Sequence, residues 1–316
     1  MTKRYDYTIL GAGAVGSVFG GLLANAGFSV QLVNRSPETA AAIANKGLRL
    51  ELDQGLVTCH PDAAQPALAK PANVVLIFTK THQTRAALAG IQHATGPETV
   101  FASLQNGLGN GRLVADLTDS KNVCEGVTML PATLLEPGQV RSHGSHQSWL
   151  GPFGSQPDDI TGGIVADIRK AGIDILTVKN PAVPIWQKAC FNVALNGVCA
   201  LTLGSPGLVH ATLGLQDQAH LLADEAIAVG RAEGADINAD AVHALIDKAC
   251  AGHTYHKPSM VQDIEAGRIT EIDSLNGFVA GRAAMHGIDV PLNQLITALV
   301  TARQSAPVFW KGAPKT

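Results

Sequence analysis

The stretch that decides the fold is residues 5–35, YDYTILGAGAVGSVFGGLLANAGFSVQLVNR. It begins with an apolar run, Tyr5–Leu10, which is typical of a buried strand, and Ala14–Ala26 then carries apolar residues at helical spacing. Gly27 is placed to end this helix, and Phe28–Val33 forms a second apolar run. Strand, glycine-rich turn, helix and strand follow one another as in a βαβ unit, so the sequence predicts a Rossmann-type sheet.

The glycine spacing of the turn suits a dinucleotide. Gly11 permits the tight turn, Gly13 lets the backbone approach a pyrophosphate, and Gly16 lets the helix pack closely on the sheet. The amides at the start of the helix then favour an anion. The whole turn is therefore expected to bind the cofactor, through Gly11, Ala12, Gly13, Ala14, Val15 and Gly16. The alternative is a glycine-rich turn in an unrelated α/β protein.

The end of the second strand indicates which dinucleotide is bound. An NAD enzyme carries a ribose-binding Asp or Glu there, whereas this chain has Asn34 and Arg35, and Glu38 comes three residues too late. The guanidinium of Arg35 matches the oxygens of a 2′-phosphate, so the sequence predicts NADP(H). The alternative is that Arg35 is an ordinary solvated side chain and that Ser36 only caps the next helix.

The rest of the chain indicates two domains. Residues 1–150 continue the alternation, with further predicted strands or hairpins at 48–59, Asn73–Thr79, Thr99–Leu104, Val123–Leu130 and 139–151, and helices at Ser36–Lys46 and 84–94. The last strand is expected to be antiparallel, because no helix separates it from its predecessor. Apolar residues at helical spacing then recur at 186–202, 208–233, 239–251, 259–266, 271–286 and 292–305.

The segment 177–184 contains two prolines and is the predicted boundary. The predicted fold class is α/β, with an N-terminal doubly wound Rossmann-type sheet followed by an all-α C-terminal domain. The corresponding domains are an NADP-binding domain at residues 1–180 and a helical substrate-binding domain at residues 181–316.

Composition excludes several classes of protein. The net charge is −3, from 23 basic and 26 acidic residues without a basic run, and aromatics make up 4%, so nucleic-acid binding is not expected. Residues 7–34 carry no charge, but their glycines and amides fit a buried βαβ unit better than a membrane span.

Five cysteines without a C-x-x-C pair favour reduced thiols and a cytoplasmic location. Two H-x-x-H pairs, His143 with His146 and His253 with His256, lack a third ligand, so no metal site is predicted.

Two polar stretches follow buried strands, where an open parallel sheet binds its ligands. The first is Thr79–Gln83, with Lys80 and Gln83, and the second is the run 105–110, QNGLGN. Lys80, Gln83 and Asn106 are expected to face a cofactor or substrate. For Asn110, turn chemistry alone is the preferred interpretation.

The C-terminal half carries a polar stripe on a predicted helix. Lys188, Asn192 and Asn196 are four residues apart and therefore share one helix face among apolar neighbours. The alternative is a solvent-facing edge, although such edges usually carry Glu, Lys and Arg. A lysine in this position could act as a general acid with a pKa lowered by burial, or remain charged and polarise a carbonyl.

Two other polar segments have a structural explanation. Ser259 and Gln262 have the S-x-x-Q spacing of a capping box, and Glu271 and Asp273 suit the first turn of a helix. Spacing alone therefore assigns no function to Ser259 or Glu271.

A set of motifs in order along the chain resembles the ketopantoate reductase family. The motifs are GAGAVG with Arg35, K-x-x-Q (Lys80, Gln83), QNG-x-G (Gln105–Gly109), W-x-K-x-x-x-N-x-x-x-N (Trp186, Lys188, Asn192, Asn196), S-M-x-Q-D (Ser259–Asp263), T-E-I-D-x-L-N-G (Thr270–Gly277) and H-G-I-x-V-P (His286–Pro291). They span nearly the whole chain, and the C-terminal ones are more specific than the glycine turn.

The resemblance implies an NADP-dependent enzyme that reduces 2-dehydropantoate to (R)-pantoate in pantothenate biosynthesis, on the pathway to coenzyme A. It implies that Lys188 is the general acid and that Glu271 bonds the substrate hydroxyl and also contacts the cofactor. It further implies substrate contacts by Asn106, Asn192, Asn196 and Ser259, and cofactor contacts by Lys80, Gln83 and Asn106. The only partner implied is a small 2-oxo acid, and a homodimer is left open.

Two stretches depart from the pattern, both on the substrate side. Residues 203–207, LGSPG, lack an asparagine that many members carry, and Pro258 stands where a small polar residue is common. A paralogous NADPH reductase of another 2-oxo acid, or a non-catalytic NADP(H)-binding protein, therefore remain alternatives.

Overall fold

The computed structural model describes residues 4–144, 147–154, 158–252 and 257–311. The chain divides into two compact units, Met1–Pro181 and Ala182–Thr316. The first unit contains the β-sheets. Within the described residues, the second unit contains helices and connecting turns but no strand, as the predicted fold class requires.

An eight-stranded sheet organises the first unit. In spatial order its strands are β12 (Ile175–Thr177), β11 (Ser148–Pro152), β8 (Val123–Thr128), β7 (Val100–Ser103), β6 (Ala72–Ile77), β1 (Tyr5–Leu10), β2 (Val30–Val33) and β5 (Asp62–Ala64). All neighbouring strands are parallel except β11 and β8, which are antiparallel as predicted. The predicted doubly wound sheet is therefore confirmed.

Helices cover both faces of this sheet and produce two hydrophobic clusters. One cluster contains buried side chains of α1 (Ala14–Asn25) and α5 (Asp158–Lys170). The other contains buried side chains of α3 (Thr84–Ile91) and α4 (Asn110–Thr118). The strands in between are rich in apolar residues because they are buried on both sides.

Local sequence signals position the first elements. Gly27 has φ +95° directly after α1, a conformation that favours glycine and ends the helix. Ser36 caps α2 (Pro37–Lys46) by accepting a hydrogen bond from the Thr39 amide at 3.1 Å, as predicted. The second strand begins at Val30, two residues later than expected.

A second sheet of four strands packs beside α1. Its spatial order is β4 (Gly55–Cys59), β3 (Leu48–Leu52), β10 (Gln139–Arg141) and β9 (Thr133–Glu136). The antiparallel pair β3–β4 confirms that residues 48–59 form a hairpin. Leu48 and Leu50 of this hairpin are fully buried and join the cluster beneath α1.

The second unit contains seven helices within the described residues. They are α6 (Ala182–Thr202), α7 (Pro206–Ala211), α8 (Leu215–Ala232), α9 (Ala239–Gly252), α10 (Ser259–Glu265), α11 (Asn276–His286) and α12 (Pro291–Lys311). The predicted helix at 208–233 is wrong as a single element, because Gly214 at φ +74° separates α7 from α8. The predicted helix at 271–286 is also interrupted, by a 3₁₀ turn at Ile272–Ser274 before α11.

Helix α6 lies at the centre of this unit and contacts α8, α9, α10 and α12. Gly230 of α8 allows Trp186 of α6 to approach closely, since an added Cβ would lie 2.8 Å from the indole. Among the described residues, no helix has the length and apolar character needed to cross a membrane.

Candidate active site

The three glycines of the first turn meet different surroundings. Gly11 has φ +97°, and an added Cβ would lie 2.6 Å from the Thr79 amide nitrogen at the end of β6. At Gly16 an added Cβ would lie 2.5 Å from the Gly11 carbonyl oxygen. At Gly13, by contrast, it would meet no heavy atom within 4 Å in the part of the chain that the structure describes.

This arrangement fits a dinucleotide pyrophosphate. Gly11 and Gly16 make the turn compact against the sheet, whereas Gly13 leaves space beside the backbone where a ligand can approach. The amides of Ala14, Val15 and Gly16 occupy the first turn of α1, where a helix offers N–H groups without intrahelical acceptors. These amides and the helix dipole favour an anion at this point.

Asn34 ties the glycine turn to the start of α2. Its Nδ2 donates to the Ala12 carbonyl at 2.9 Å, and its Oδ1 accepts from the Ser36 amide at 2.9 Å. A neutral amide thus stands at the position where NAD enzymes hold a carboxylate. Arg35 follows it, is exposed, and has no hydrogen bond or ion pair with other described residues. Its guanidinium is available for a 2′-phosphate.

The two polar loops after β6 and β7 are bonded to each other. Thr81 Oγ1 donates to the Asn106 carbonyl at 3.3 Å and to Asn110 Oδ1 at 3.0 Å. Asn110 Nδ2 donates to the Asn106 carbonyl at 2.9 Å, which confirms its structural role. Lys80 and Gln83 flank Thr81 on the first loop, and both are half-buried.

The sheet therefore brings together most of the predicted cofactor residues. The glycine turn, Arg35, Lys80, Gln83 and Asn106 all follow the carboxyl ends of the adjacent parallel strands β1, β2, β6 and β7. Ligands of open α/β sheets bind at this edge. Gln105, between β7 and Asn106, is a buried polar residue that sequence reasoning passed over.

In the second unit, α6 carries the predicted substrate stripe. Lys188 and Asn192 are half-buried and Asn196 is 8% exposed, which does not fit a solvent-facing edge. Burial lowers the pKa of Lys188 to about 8, and the Glu271 carboxylate acts in the opposite direction by favouring the charged ammonium. A lysine with this pKa is mostly protonated at neutral pH and releases its proton readily, as a general acid must.

The capping box expected at Ser259 is wrong, whereas the acidic residues expected at a helix start are found at a 3₁₀ turn, with Glu271 at its N-cap and Asp273 in its first turn. Pro258 occupies the cap position of α10 with an extended backbone, and Ser259 is the first helical residue and is exposed. Gln262 Nε2 donates to the Lys257 carbonyl at 3.0 Å rather than completing a capping box. Glu271 precedes a 3₁₀ turn, where its carbonyl accepts from Ser274 Oγ at 3.1 Å, and it lies outside α11.

Potential metal ligands do not cluster in the part of the chain that the structure describes. Among the described parts of the chain, no group of three or more His, Cys, Asp or Glu side chains is arranged to hold a metal ion. His146, His253 and His256 lie outside the described residues, so the two H-x-x-H pairs are not fully represented.

Comparison with known families identifies the chain. The family model described as "Ketopantoate reductase PanE/ApbA" matches residues 7–155, and the one described as "Ketopantoate reductase PanE/ApbA C terminal" matches residues 183–304. The chain belongs to the ketopantoate reductase family. Members of this family are NADP-dependent oxidoreductases, so the predicted enzyme class is confirmed.

Curated relatives of the ketopantoate reductase family match almost the whole chain. The 2-dehydropantoate 2-reductase of Streptococcus pyogenes serotype M6 is 30% identical over 299 residues, which cover 94% of this chain and 97% of the relative. The 2-dehydropantoate 2-reductase of Halobacterium salinarum is 29% identical over 299 residues, with 94% and 98% coverage.

Solved structures include a reductase with a different named substrate. A PanE/ApbA family ketopantoate reductase from Ralstonia eutropha JMP134 has a TM-score of 0.87 and 30% identity, covering 95% of this chain and 98% of that chain. D-mandelate dehydrogenase, in a ternary structure with NADH and anilino(oxo)acetate, has a TM-score of 0.89 and 26% identity with the same coverage. The fold therefore serves more than one 2-hydroxy acid.

Proposed function

We propose that this protein reduces 2-dehydropantoate to (R)-pantoate with NADPH, as a step of pantothenate biosynthesis. The observation that carries the proposal is Lys188, a half-buried lysine whose pKa is lowered to about 8 and which interacts electrostatically with Glu271. Both residues lie in the C-terminal motifs of the family, and a protein that only binds NADP(H) has no need of a proton donor.

The cofactor is assigned to the sheet edge of the first unit. The pyrophosphate would lie on the amides of the glycine turn, over the open side of Gly13, and Arg35 would hold the 2′-phosphate. Lys80, Gln83 and Asn106 would contact the nicotinamide half, and a cofactor contact by Glu271 remains a prediction. When bound, NADPH supplies the hydride that reduces C2 of the 2-oxo acid.

Lys188 is assigned the proton transfer. Negative charge develops on the carbonyl oxygen as C2 is reduced, and an ammonium stabilises that charge before giving up its proton to the oxygen. The lowered pKa of Lys188 brings the proton donor close to neutral pH, where proton transfer is efficient. The neutral amine then regains a proton from solvent.

The remaining polar residues are assigned to substrate binding. Glu271 would accept a hydrogen bond from the substrate hydroxyl, and Asn192, Asn196 and Ser259 would bind its polar groups. A substrate contact by Asn106 remains a prediction. The amides suit this task because each offers both a donor and an acceptor. A homodimer and a cytoplasmic location remain predictions.

A second candidate function is the NADPH-dependent reduction of another 2-oxo acid. Two observations favour it: the substrate-side departures at residues 203–207 and at Pro258, and the likeness to D-mandelate dehydrogenase. In the structure residues 203–205 form the turn between α6 and α7, and Pro206 and Gly207 open α7.

A panel of 2-oxo acids separates these functions. NADPH consumption is measured with 2-dehydropantoate, pyruvate, 2-oxoisovalerate and phenylglyoxylate, the 2-oxo acid that corresponds to mandelate. The proposal expects 2-dehydropantoate to be preferred, with kcat/KM of about 10⁴ M⁻¹s⁻¹ or more. Preference for another acid would support the second candidate. NADPH binding without turnover of any acid would overturn both and indicate a non-catalytic protein.

A further inference from the structure

Gln105 lies at the centre of a buried polar network that the proposed function leaves unused. Its side chain is 4% exposed, and it lies two residues after the end of β7. Gln105 Nε2 donates to the Thr79 carbonyl at 2.6 Å and to Thr84 Oγ1 at 2.8 Å. Gln105 Oε1 accepts from Ser103 Oγ at 3.0 Å.

The network satisfies the hydrogen-bonding capacity of the Gln105 amide. Its two N–H groups and its carbonyl oxygen each have a partner, and the third contact of Nε2, to Thr79 Oγ1 at 3.2 Å, is longer. Thr84 and Ser103 are 0% and 1% exposed, so their bonds with Gln105 are shielded from solvent. A fully satisfied buried network fixes geometry, because each partner lost leaves a desolvated polar group behind.

The partners of Gln105 lie at the borders of the two loops assigned to the nicotinamide half of the cofactor. Thr79 directly precedes Lys80, and Thr84 begins α3 directly after Gln83. Gln105 itself precedes Asn106. The Gln105 side chain therefore bonds to residues at both ends of the loop after β6, while Gln105 itself lies at the start of the loop after β7.

We propose that Gln105 is a positioning residue for the reaction, one that holds Lys80, Gln83 and Asn106 in the arrangement needed by the nicotinamide half of NADPH. The inference rests on the proposed cofactor site. It assigns Gln105 no contact with substrate or cofactor; its effect is transmitted through the Thr79 carbonyl and the Thr84 hydroxyl.

Replacing Gln105 by methionine tests this role. The side chain keeps its length and apolar stem but loses the amide that makes all of the side-chain hydrogen bonds of Gln105. Titrations compare NADPH with adenosine 2′,5′-bisphosphate, which carries the adenosine half but no nicotinamide. The proposal expects Gln105→Met to weaken NADPH binding about 10-fold, which is about 1.4 kcal/mol, and to lower kcat, while binding of the bisphosphate changes less than about 2-fold. Gln92→Met, at an exposed position of the same unit, is the matched control.

A pair of threonine variants keeps the test decisive if Gln105→Met does not fold. Thr84→Val replaces the hydroxyl by a methyl group of similar size, whereas Thr84→Ser keeps the hydroxyl that accepts from Gln105. NADPH binding is expected to weaken at least about 3-fold in the valine variant and to stay close to wild type in the serine variant.

Two outcomes would overturn the positioning role. One is equal weakening of NADPH and the bisphosphate in Gln105→Met, which indicates a general structural defect. The other is equal NADPH affinity in the two threonine variants. If wild-type protein bound the bisphosphate but not NADPH, or bound neither, the proposed cofactor site itself would fail, and that result is visible before any variant is compared.

Discussion

At the scale of single residues, the three glycines of the first turn differ in what an added methyl group would meet. Gly13 faces space with no described heavy atom within 4 Å, whereas at Gly16 the methyl carbon would lie 2.5 Å from the Gly11 carbonyl oxygen. Gly13→Ala is therefore expected to keep its free energy of unfolding within about 1 kcal/mol of wild type but to lose NADPH affinity at least about 10-fold.

Gly16→Ala is the matched comparison, and it is expected to be destabilised by about 1–3 kcal/mol because backbone must move. Urea unfolding and NADPH titration of both variants separate folding from binding. A Gly13→Ala protein that binds NADPH normally would remove the pyrophosphate from the position assigned to it.

The pKa of Lys188 predicts the pH dependence of the reductase. Since the protonated ammonium is the proton donor, kcat/KM is expected to be constant at lower pH and to fall as the pH rises through about 8. Lys188→Ala should lower kcat at least about 100-fold with NADPH affinity nearly unchanged. In Lys188→Arg, kcat/KM should no longer decrease near pH 8, because arginine stays protonated. Turnover by Lys188→Ala within a few-fold of wild type would exclude the proposed role.

At the scale of elements, Glu125 links β8 to the start of α4. Its carboxylate accepts from the Gly111 amide, which lowers its pKa, but burial is the larger effect and raises the pKa to about 7. Because this value lies above the ordinary 4.5, folding favours the protonated carboxyl. Its stabilising effect is complete below pH 4.5 and is lost as the pH rises through 7.

Glu125→Gln is expected to remove this dependence and to be more stable than wild type at pH 8 by about 2 kcal/mol, since glutamine still accepts from the Gly111 amide without carrying a charge. Urea unfolding at several pH values measures the difference, with the exposed Glu98→Gln as control. Parallel pH dependence in wild type and Glu125→Gln would contradict the assignment.

Elements with strong local signals were predicted well, and elements that depend on packing were not. Gly27 marks the C-terminal end of α1, and Ser36 with Pro37 marks the start of α2. These signals lie within a few residues of the helix termini that they determine. Five elements lie where none was predicted: β5, β9, β12, α4 and α5. The three strands have only three or four residues each, and α5 contains Gly162 and Gly163, so the local propensity for these elements is weak.

The same distinction applies to the candidate site. The glycine turn after β1 and the position of Arg35 after β2 could be predicted because turn chemistry is local in sequence, while their cofactor contacts remain a prediction. Gln105 lay within a quoted motif, but its partner Thr79 is 26 residues away, and only the pairing of β6 with β7 brings the two together. Ser259 shows the reverse case, in which a local capping pattern predicts a contact that Pro258 prevents by taking the cap position.

At the scale of the whole molecule, all five cysteines are free and buried. Burial raises the pKa of Cys59 and Cys250 to about 11 and of Cys190 and Cys199 to about 12. Cys124 also has a raised pKa, because burial outweighs its contact with Thr161. Thiolates are the reactive form, so the native enzyme is expected to be inert to thiol reagents.

An aromatic disulfide reagent should therefore release almost no chromophore from native protein within minutes at pH 8 and five equivalents after denaturation, one for each cysteine. Activity should survive the treatment of native protein. Rapid modification of one thiol before unfolding would indicate that the burial of that cysteine is lost in solution.

The hydrogen bonds of Gln105 are expected to slow the opening of the loops after β6 and β7, which form the proposed cofactor-binding edge of the sheet. Ligand-binding loops usually open easily and exchange their amide hydrogens fast. Here the loops after β6 and β7 are bonded through side chains at 0–6% exposure, including Thr84, Ser103 and Asn110. Their amides are expected to exchange with deuterium about as slowly as those of the central strands. The edge would then be rigid before NADPH arrives, and little conformational entropy would be lost there on binding.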